Sequence, residues 1–186
     1  MLILIRAAIK KFPGIKLTDL LRLEMEALLQ FFLGSLPGGF GMIIRNAIYR
    51  HFFGSCRGTL FIQPRVTFVH MKMMFFEGDF SCNSGTYLNA KGTLRFGRKV
   101  LVGSNATISS GIHPIHDNVQ SILDTPTLGS PIEIGDDVWI GAGVVILPGI
   151  SVGSRSVVGA NAVVTKSIPR NKVASGVPAR ITRDRN

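Results

Sequence analysis

The sequence predicts an all-β fold, a parallel β-helix of six-residue repeats, preceded by an α-helical N-terminal region. Aliphatic residues recur at every sixth position near the C-terminus, and an interrupted run in the same phase lies upstream. Before about residue 56 the apolar spacing is helical instead. The chain therefore divides into a helical N-terminal region, residues 1–55, and a β-helix domain that ends in a C-terminal tail, residues 56–186.

Six consecutive hexads near the C-terminus begin with an aliphatic residue. These residues are Ile134, Ile140, Ile146, Val152, Val158 and Val164. A period of six matches neither an α-helix nor an extended strand, so the chain must turn a corner every six residues. If three sides close a triangle, residues 18 positions apart, such as Ile134 and Val152, stack in one column. The fifth positions, from Val138 to Ile168, are small or apolar and should also point inward.

Upstream hexads continue this pattern before the repeat is interrupted. Their first positions are Phe96, Val102 and Ile108, and their fifth positions are Val100, Ala106 and Ile112. Glycine fills the second position of four of the six C-terminal hexads, and we expect it to supply the positive φ that a tight corner requires. Residues 114–131 contain three prolines and predict an external loop that walls a cleft.

Two helices are predicted in the N-terminal region. The first starts near Thr18, a candidate N-cap, and the second covers residues 41–53. Along the first helix Asp19, Arg22, Glu26 and Gln30 share one side, and Leu21, Met25, Leu28 and Phe32 share the other. We expect the apolar side to pack on its own domain or on a neighbouring subunit; the alternative is the surface of an anionic membrane.

The first 12 residues are apolar, but they contain Arg6 and lack a small-residue cleavage site. They are also shorter than the roughly 20 residues of a membrane span. We therefore expect neither a signal peptide nor a transmembrane helix at this end.

Composition excludes several classes of protein. With 46% hydrophobic and 17% charged residues among 186, the chain should not be disordered. Two cysteines are too few for a disulfide framework and lack the partners of a zinc site. The net charge of +10 raises the possibility of a nucleic-acid partner, but no Lys or Arg lies between Val100 and Ser154. A continuous phosphate-binding stripe, and hence a nucleic-acid partner, is not expected.

The hexads resemble the left-handed parallel β-helix of the hexapeptide-repeat acyltransferases, in particular the galactoside, maltose and serine O-acetyltransferases. The segment GIHPIHD resembles their His-Pro-x-His segment, which implies that His113 is the general base. The resemblance also implies acetyl-CoA as co-substrate, no metal, and a homotrimer with clefts between adjacent subunits. A neutral imidazole can accept the proton of a hydroxyl whose oxygen attacks a thioester carbonyl, so no covalent enzyme intermediate is needed.

Further site residues follow from the same resemblance. Asn83, His116 and Trp139 are expected at the acceptor, and the backbone N–H of Ala142 at the developing oxyanion. For Asn83 a purely structural role in a left-handed corner conformation is an equal alternative, and for His116 a structural role is favoured. The residues expected to contact acetyl-CoA are Trp139, Ala142, Ala160, Thr165, Lys166, Arg180 and Arg183. The basic ones suit the phosphates of coenzyme A.

The expected function is O-acetylation of a carbohydrate hydroxyl in the cytoplasm, either free or peripheral on the inner face of the membrane. The apolar, basic N-terminal region resembles that of enzymes acting on cell-surface polysaccharide or its precursors. Alternative acceptors are a nucleotide-linked amino sugar or serine. A γ-type carbonic anhydrase needs three zinc-binding histidines, and the four present, His51, His70, His113 and His116, lack that spacing. A non-enzymatic binding protein is the remaining alternative.

Overall fold

The computed structural model describes residues 16–115 and 121–186. Helices α1 (Leu17–Leu33) and α2 (Gly38–Tyr49) precede a left-handed parallel β-helix whose three sheets form the sides of a triangular prism. Sheet A contains β1 (Ser55–Cys56), β4 (Met74–Phe76), β7 (Leu94–Phe96), β12 (Ile132–Ile134) and β15 (Ser151–Val152). Sheet C contains β3 (Thr67–Val69), β6 (Tyr87–Asn89), β9 (Thr107–Ser109), β14 (Val145–Ile146) and β17 (Val163–Val164).

Sheet B is the longest side of the prism and ends in the C-terminal tail. Its parallel strands are β2 (Leu60–Ile62), β5 (Phe80–Cys82), β8 (Val100–Val102), β13 (Trp139–Ile140), β16 (Val157–Val158) and β18 (Lys172–Ser175). Strand β19 (Arg180–Asp184) adds to β18 in antiparallel direction. The chain visits sheets A, B and C in turn, so each coil has an A–B corner, a B–C corner and a C–A corner.

The predicted columns are confirmed by the strand register. Ile134 pairs with Val152 in sheet A, and Ile140 pairs with Val158 in sheet B. Ile146 pairs with Val164 in sheet C. All six side chains are buried, as are the fifth-position residues from Val138 to Ile168. Because parallel coils satisfy each other's backbone groups, the aliphatic columns can fill the axis of the prism.

The glycines of the hexads have a different role from the one predicted. The second-position glycines do not have positive φ; at Gly141 a Cβ would instead lie 2.7 Å from the backbone nitrogen of Ala160 on the next coil. Positive φ occurs at the fourth position, for example 52° at Asp137, 67° at Gly143 and 59° at Asn161. The four second-position glycines are therefore needed because the coils approach closely there, and the fourth position makes the left-handed turn.

The interruption of the repeat begins earlier than predicted. Strands β10 (Gly111–Ile112) and β11 (Leu128–Gly129) form a short antiparallel stalk that leaves the prism at the C–A corner. Ile112, predicted to point inward, is therefore exposed. The stalk replaces the corner that would have turned this side chain toward the axis.

Two details of the helices also differ from the prediction. Thr18 is not the N-cap, because α1 begins at Leu17 after Lys16, whose side chain makes no capping hydrogen bond. The second helix, α2, begins at Gly38 rather than at residue 41 and ends at Tyr49. No helix within the described ranges is both long enough and apolar enough to cross a bilayer.

The orientation of α1 is the reverse of the one expected for its own domain. Its polar side faces the β-helix, with Glu26 buried, whereas Leu21, Met25 and Leu28 on the apolar side are each more than half exposed. The physical reason lies in the first coil, residues 55–73, which has no earlier coil to pair with. Its open edge needs hydrogen-bonding partners, and polar side chains can supply them.

Side chains of both helices pair with this open edge. Gln30 accepts from the backbone N–H of Phe68 at 2.7 Å and donates to the carbonyl of Phe68 at 2.9 Å. Glu26 accepts from the N–H of Met71 at 3.1 Å, and its other oxygen accepts from Arg22 Nε at 3.1 Å. From α2, Asn46 accepts from the N–H of Leu60 at 3.0 Å. These polar side chains cap the open edge, and Leu29, Leu33, Ile48 and Tyr49 of the same helices pack on the hydrophobic core.

Candidate active site

His113 lies directly after β10, where the stalk leaves the C–A corner. Its imidazole is exposed, and its Nε2 lies 3.2 Å from Thr127 Oγ1 near the start of β11. The antiparallel stalk brings these two side chains together across 14 residues of sequence. The hydroxyl of Thr127 can orient the ring while one face stays accessible, which suits a group that exchanges protons with a substrate.

The contact of Thr127 with His113 was not predicted from the sequence. The hexad period ends at the stalk, so no periodic signal relates residue 127 to residue 113. His116, the second histidine of the motif, lies outside the described residues.

The other predicted residues fall on two different corners of the prism. Asn83 follows β5 and Ala142 follows β13, so both lie at the B–C corner, where Ala160 also lies after β16. Thr165, by contrast, follows β17 at the C–A corner, the corner of His113. Side chains on different corners of a prism point away from each other. Within one chain, Asn83, which was predicted to bind the acceptor substrate, and the imidazole of His113 therefore do not face a common point.

Asn83 is half-buried, and its backbone is not in the left-handed region. The left-handed residue of this corner is Gly85, whose φ is 77°. The structural alternative, in which an asparagine is present because it tolerates that conformation, therefore does not apply to Asn83. Its amide remains available for a ligand.

Ala142 and Ala160 stack on neighbouring coils of the B–C corner, where the N–H of Asn161 donates to the carbonyl of Ala142 at 2.8 Å. The flanking amides of Gly141 and Gly143 donate to backbone carbonyls of adjacent coils. The N–H of Ala142 has no acceptor among residues 16–115 and 121–186. An amide that is fixed and unused can stabilise a developing oxyanion. Trp139 projects outward from sheet B beside this corner and is 53% exposed.

The cationic tail divides into free and engaged side chains. Lys172 pairs with Asp184, and Arg185 lies 3.1 Å from Asp137. Lys166, Arg180 and Arg183 are exposed and form no ion pair within the described part of the chain. These three remain able to bind phosphate groups.

The two cysteines are unsuited to nucleophilic catalysis. Burial raises the pKa of the Cys82 thiol to about 12, and burial also raises the pKa of Cys56. A thiol reacts as its thiolate, which is scarce at neutral pH under these conditions. Direct attack of an acceptor on a thioester needs no such group. Among the described residues, no three His, Cys, Asp or Glu side chains are grouped so as to hold a metal ion.

Three cavities on the described residues lie away from this site. A groove of about 820 Å³ runs between α1 and β3, and cavities of about 410 and 390 Å³ lie beside His70 and beside Glu133. None of the three is lined by His113, Asn83 or Trp139. These three cavities therefore do not include the candidate site.

Comparison with known proteins gives the same family for sequence and structure. Residues 131–166 match the model described as bacterial transferase hexapeptide (six repeats). Galactoside O-acetyltransferase of Escherichia coli K12 is 34% identical over 142 residues, which cover 76% of this chain and 69% of that protein.

Two solved structures share the fold along most of the chain. An acetyltransferase of Vibrio cholerae O1 biovar eltor, which contains hexapeptide repeats and was solved with acetyl-CoA, gives a TM-score of 0.83 at 27% identity. That match covers 94% of this chain and 93% of the other. Maltose O-acetyltransferase of Clostridium difficile 630 gives a TM-score of 0.80 at 29% identity, with 92% and 90% covered.

The hexapeptide prism, together with these similarities in sequence and structure, defines a left-handed β-helix acyltransferase. The chain belongs to the hexapeptide-repeat acyltransferase family. It is an acetyltransferase that uses acetyl-CoA as its co-substrate.

Proposed function

We propose that this enzyme acetylates a hydroxyl group of a carbohydrate, with His113 as the general base. The hydroxyl oxygen attacks the thioester carbonyl of acetyl-CoA while the imidazole accepts the hydroxyl proton. When the carbon–sulfur bond breaks, the same imidazole returns the proton to the departing sulfur. The N–H of Ala142 donates to the carbonyl oxygen as it becomes negative.

The observation that carries this proposal is the position of His113, an exposed imidazole held 3.2 Å from Thr127 at the mouth of the stalk. A carbohydrate acceptor is supported by the relatives, which are named for galactoside and maltose. The proposed place of action is the cytoplasm, where acetyl-CoA is made, and no nucleic-acid partner is proposed.

The division of the site between two corners supports assembly into a homotrimer. In this proposal the C–A corner of one subunit, with His113, faces the B–C corner of its neighbour, with Asn83, Trp139 and Ala142. Each cleft then combines a base from one copy with an acceptor residue and an oxyanion donor from the other. The neighbouring subunit would then supply one wall of the cleft beside His113.

Acetyl transfer to defined acceptors tests the proposed reaction. The full-length protein is incubated with acetyl-CoA and a panel of galactosides, glucosides, amino sugars and serine, with free thiol and product mass as readouts. We expect thiol release and gain of one acetyl group with a sugar that has only hydroxyls. Product from an amino sugar or serine alone would contradict the carbohydrate hydroxyl as acceptor.

The free cations of the tail give a second prediction. The double substitution Lys166→Glu and Arg180→Glu should raise the KM for acetyl-CoA about tenfold or more, because two favourable phosphate contacts become repulsive. The kcat at saturation should change little. Initial rates at several salt concentrations measure both effects, and the KM of the variant should depend less on salt.

A matched control changes the same net charge at another corner. Arg57 and Lys99 are exposed at the A–B corner. The variant Arg57→Glu with Lys99→Glu should keep the KM near its original value. An equal rise in both double variants would assign the effect to net charge and exclude a phosphate site in the tail.

A further inference from the structure

The outward sides of α1 and α2 carry exposed hydrophobic side chains, which together we call the apolar face. Its side chains are large, hydrophobic and 51–75% exposed, namely Leu17, Leu21, Met25, Leu28, Phe31, Phe32, Phe40 and Ile43. On α1 the acidic side chain on this half of the helix is Glu24. Exposed apolar groups in such number are uncommon on a soluble monomer and indicate an interaction surface.

The fold itself does not account for the apolar face. The helices attach to the first coil through Gln30, Glu26 and Asn46, which pair with its open edge from the opposite side. Leu29, Leu33, Ile48 and Tyr49 pack on the core, but the side chains of the apolar face take no part in these contacts and remain exposed. A helix whose polar side faces its own protein can use its exposed apolar side to bind a membrane or another molecule.

The charge of the region indicates which occupant fits. Residues 1–16, which lead directly into α1, contain four basic residues and no acidic one, and exposed Lys16 lies beside Leu17. Residues 1–53 together contain seven Lys or Arg and three Asp or Glu, but Arg45 is buried and Arg22 pairs with buried Glu26, so the excess positive charge is carried mainly by residues 1–16. Docking of this face on a second copy would bring two regions of like charge together, which is unfavourable. An anionic surface is complementary to it.

We propose that the apolar face docks on an anionic lipid bilayer, with α1 and α2 parallel to the membrane surface. The hydrophobic side chains would enter the boundary between headgroups and acyl chains, and the positive charge of residues 1–16 would attract the protein to anionic headgroups. The length of α1, 17 residues, is compatible with such an in-plane helix. This attachment is independent of the acetyl-transfer chemistry at His113, so either proposal can fail alone.

Sedimentation with vesicles tests this proposal on the full chain. We expect the protein to bind vesicles of phosphatidylcholine containing phosphatidylglycerol, and to bind pure phosphatidylcholine vesicles much more weakly. The double variant Leu28→Glu with Phe32→Glu should bind the mixed vesicles about tenfold more weakly or worse, since it removes apolar contact and adds anionic charge. Replacing Lys10, Lys11 and Lys16 by Gln should weaken binding and reduce its salt dependence.

A closely matched control lies in the segment between β10 and β11. Ile122 and Leu123 are 55% and 69% exposed, compared with 57% and 67% for Leu28 and Phe32. The variant Ile122→Glu with Leu123→Glu should bind vesicles like the original protein. Absence of vesicle binding by the original protein, or equal binding by both double variants, would overturn the proposal. A lower oligomeric mass of Leu28→Glu with Phe32→Glu in light scattering would also overturn it, because the face would then bind another copy.

Discussion

Replacement of His113 by alanine is expected to lower kcat about a thousandfold, the usual contribution of a positioned general base. The imidazole is exposed at the mouth of the stalk, and among the described residues its hydrogen-bond partner is Thr127 and not a cation of the tail, which supports acetyl-CoA binding as a separate function. The KM for acetyl-CoA should therefore stay within about twofold. Steady-state thiol release at varied acetyl-CoA and a fixed saturating acceptor measures both constants.

The partner of His113 provides the comparison for this experiment. Thr127→Val removes the hydroxyl that lies 3.2 Å from Nε2 but leaves the ring in place, so the loss in kcat should be smaller, about tenfold. Thr127→Ser keeps the hydroxyl and should restore most of the rate. Unchanged turnover in His113→Ala would remove this histidine from the reaction, and equal losses in Thr127→Val and Thr127→Ser would remove the hydroxyl as a positioning group.

The interior of the β-helix could be predicted from the sequence because each coil repeats the same constraint. Ile134 and Val152 had to share a column once the chain turned every six residues, and they do. The corners were less predictable, because glycine has two separate uses. A hexad alone does not show whether Gly141 turns the chain or lets the next coil approach, and only the distance to Ala160 separates the two.

The N-terminal helices show a different limit of sequence analysis. An amphipathic pattern fixes which residues share a side of α1, but it does not fix which side faces the protein. The unpaired edge of the first coil decided the orientation, because Glu26 and Gln30 could satisfy its backbone groups and leucine could not. That edge is a property of the assembled β-helix. Similarly, the contact between His113 and Thr127 depends on a stalk whose strands are not part of the repeat.

Arg45 of α2 is the next side chain for which a large effect is expected. It is fully buried, and its Nε donates to the carbonyl of Ile62 at 2.9 Å. Its Nη1 donates to the carbonyls of Leu33 and Leu36, at 3.0 and 2.7 Å. One side chain thus joins the end of α1, the turn after it and the open edge of the first coil. Burial lowers the pKa of Arg45, which shows the cost of placing this charge there.

Arg45→Ala is expected to lower the free energy of unfolding by about 3 kcal/mol, because it removes hydrogen bonds to three carbonyls, of which that of Ile62 is buried, and opens a cavity. Two effects limit the loss: the variant no longer buries a charge, and the carbonyl of Leu33 still accepts from the N–H of Leu36 at 3.3 Å. Arg45→Met fills most of the volume and should recover the packing contribution alone. Urea unfolding followed by circular dichroism gives these differences.

Arg57→Ala is the matched control for this measurement. Arg57 also donates a hydrogen bond, from Nη1 to the carboxylate of Glu77 at 2.9 Å. This pair is exposed to solvent, so it should contribute no more than about 1 kcal/mol to the free energy of unfolding. If the Arg45→Ala variant is no more destabilised than the Arg57→Ala variant, Arg45 does not hold the helices to the β-helix. A large loss in Arg45→Ala that Arg45→Met only partly restores would show that the hydrogen bonds of Arg45 help to attach α1 and α2 to the first coil, in addition to hydrophobic packing.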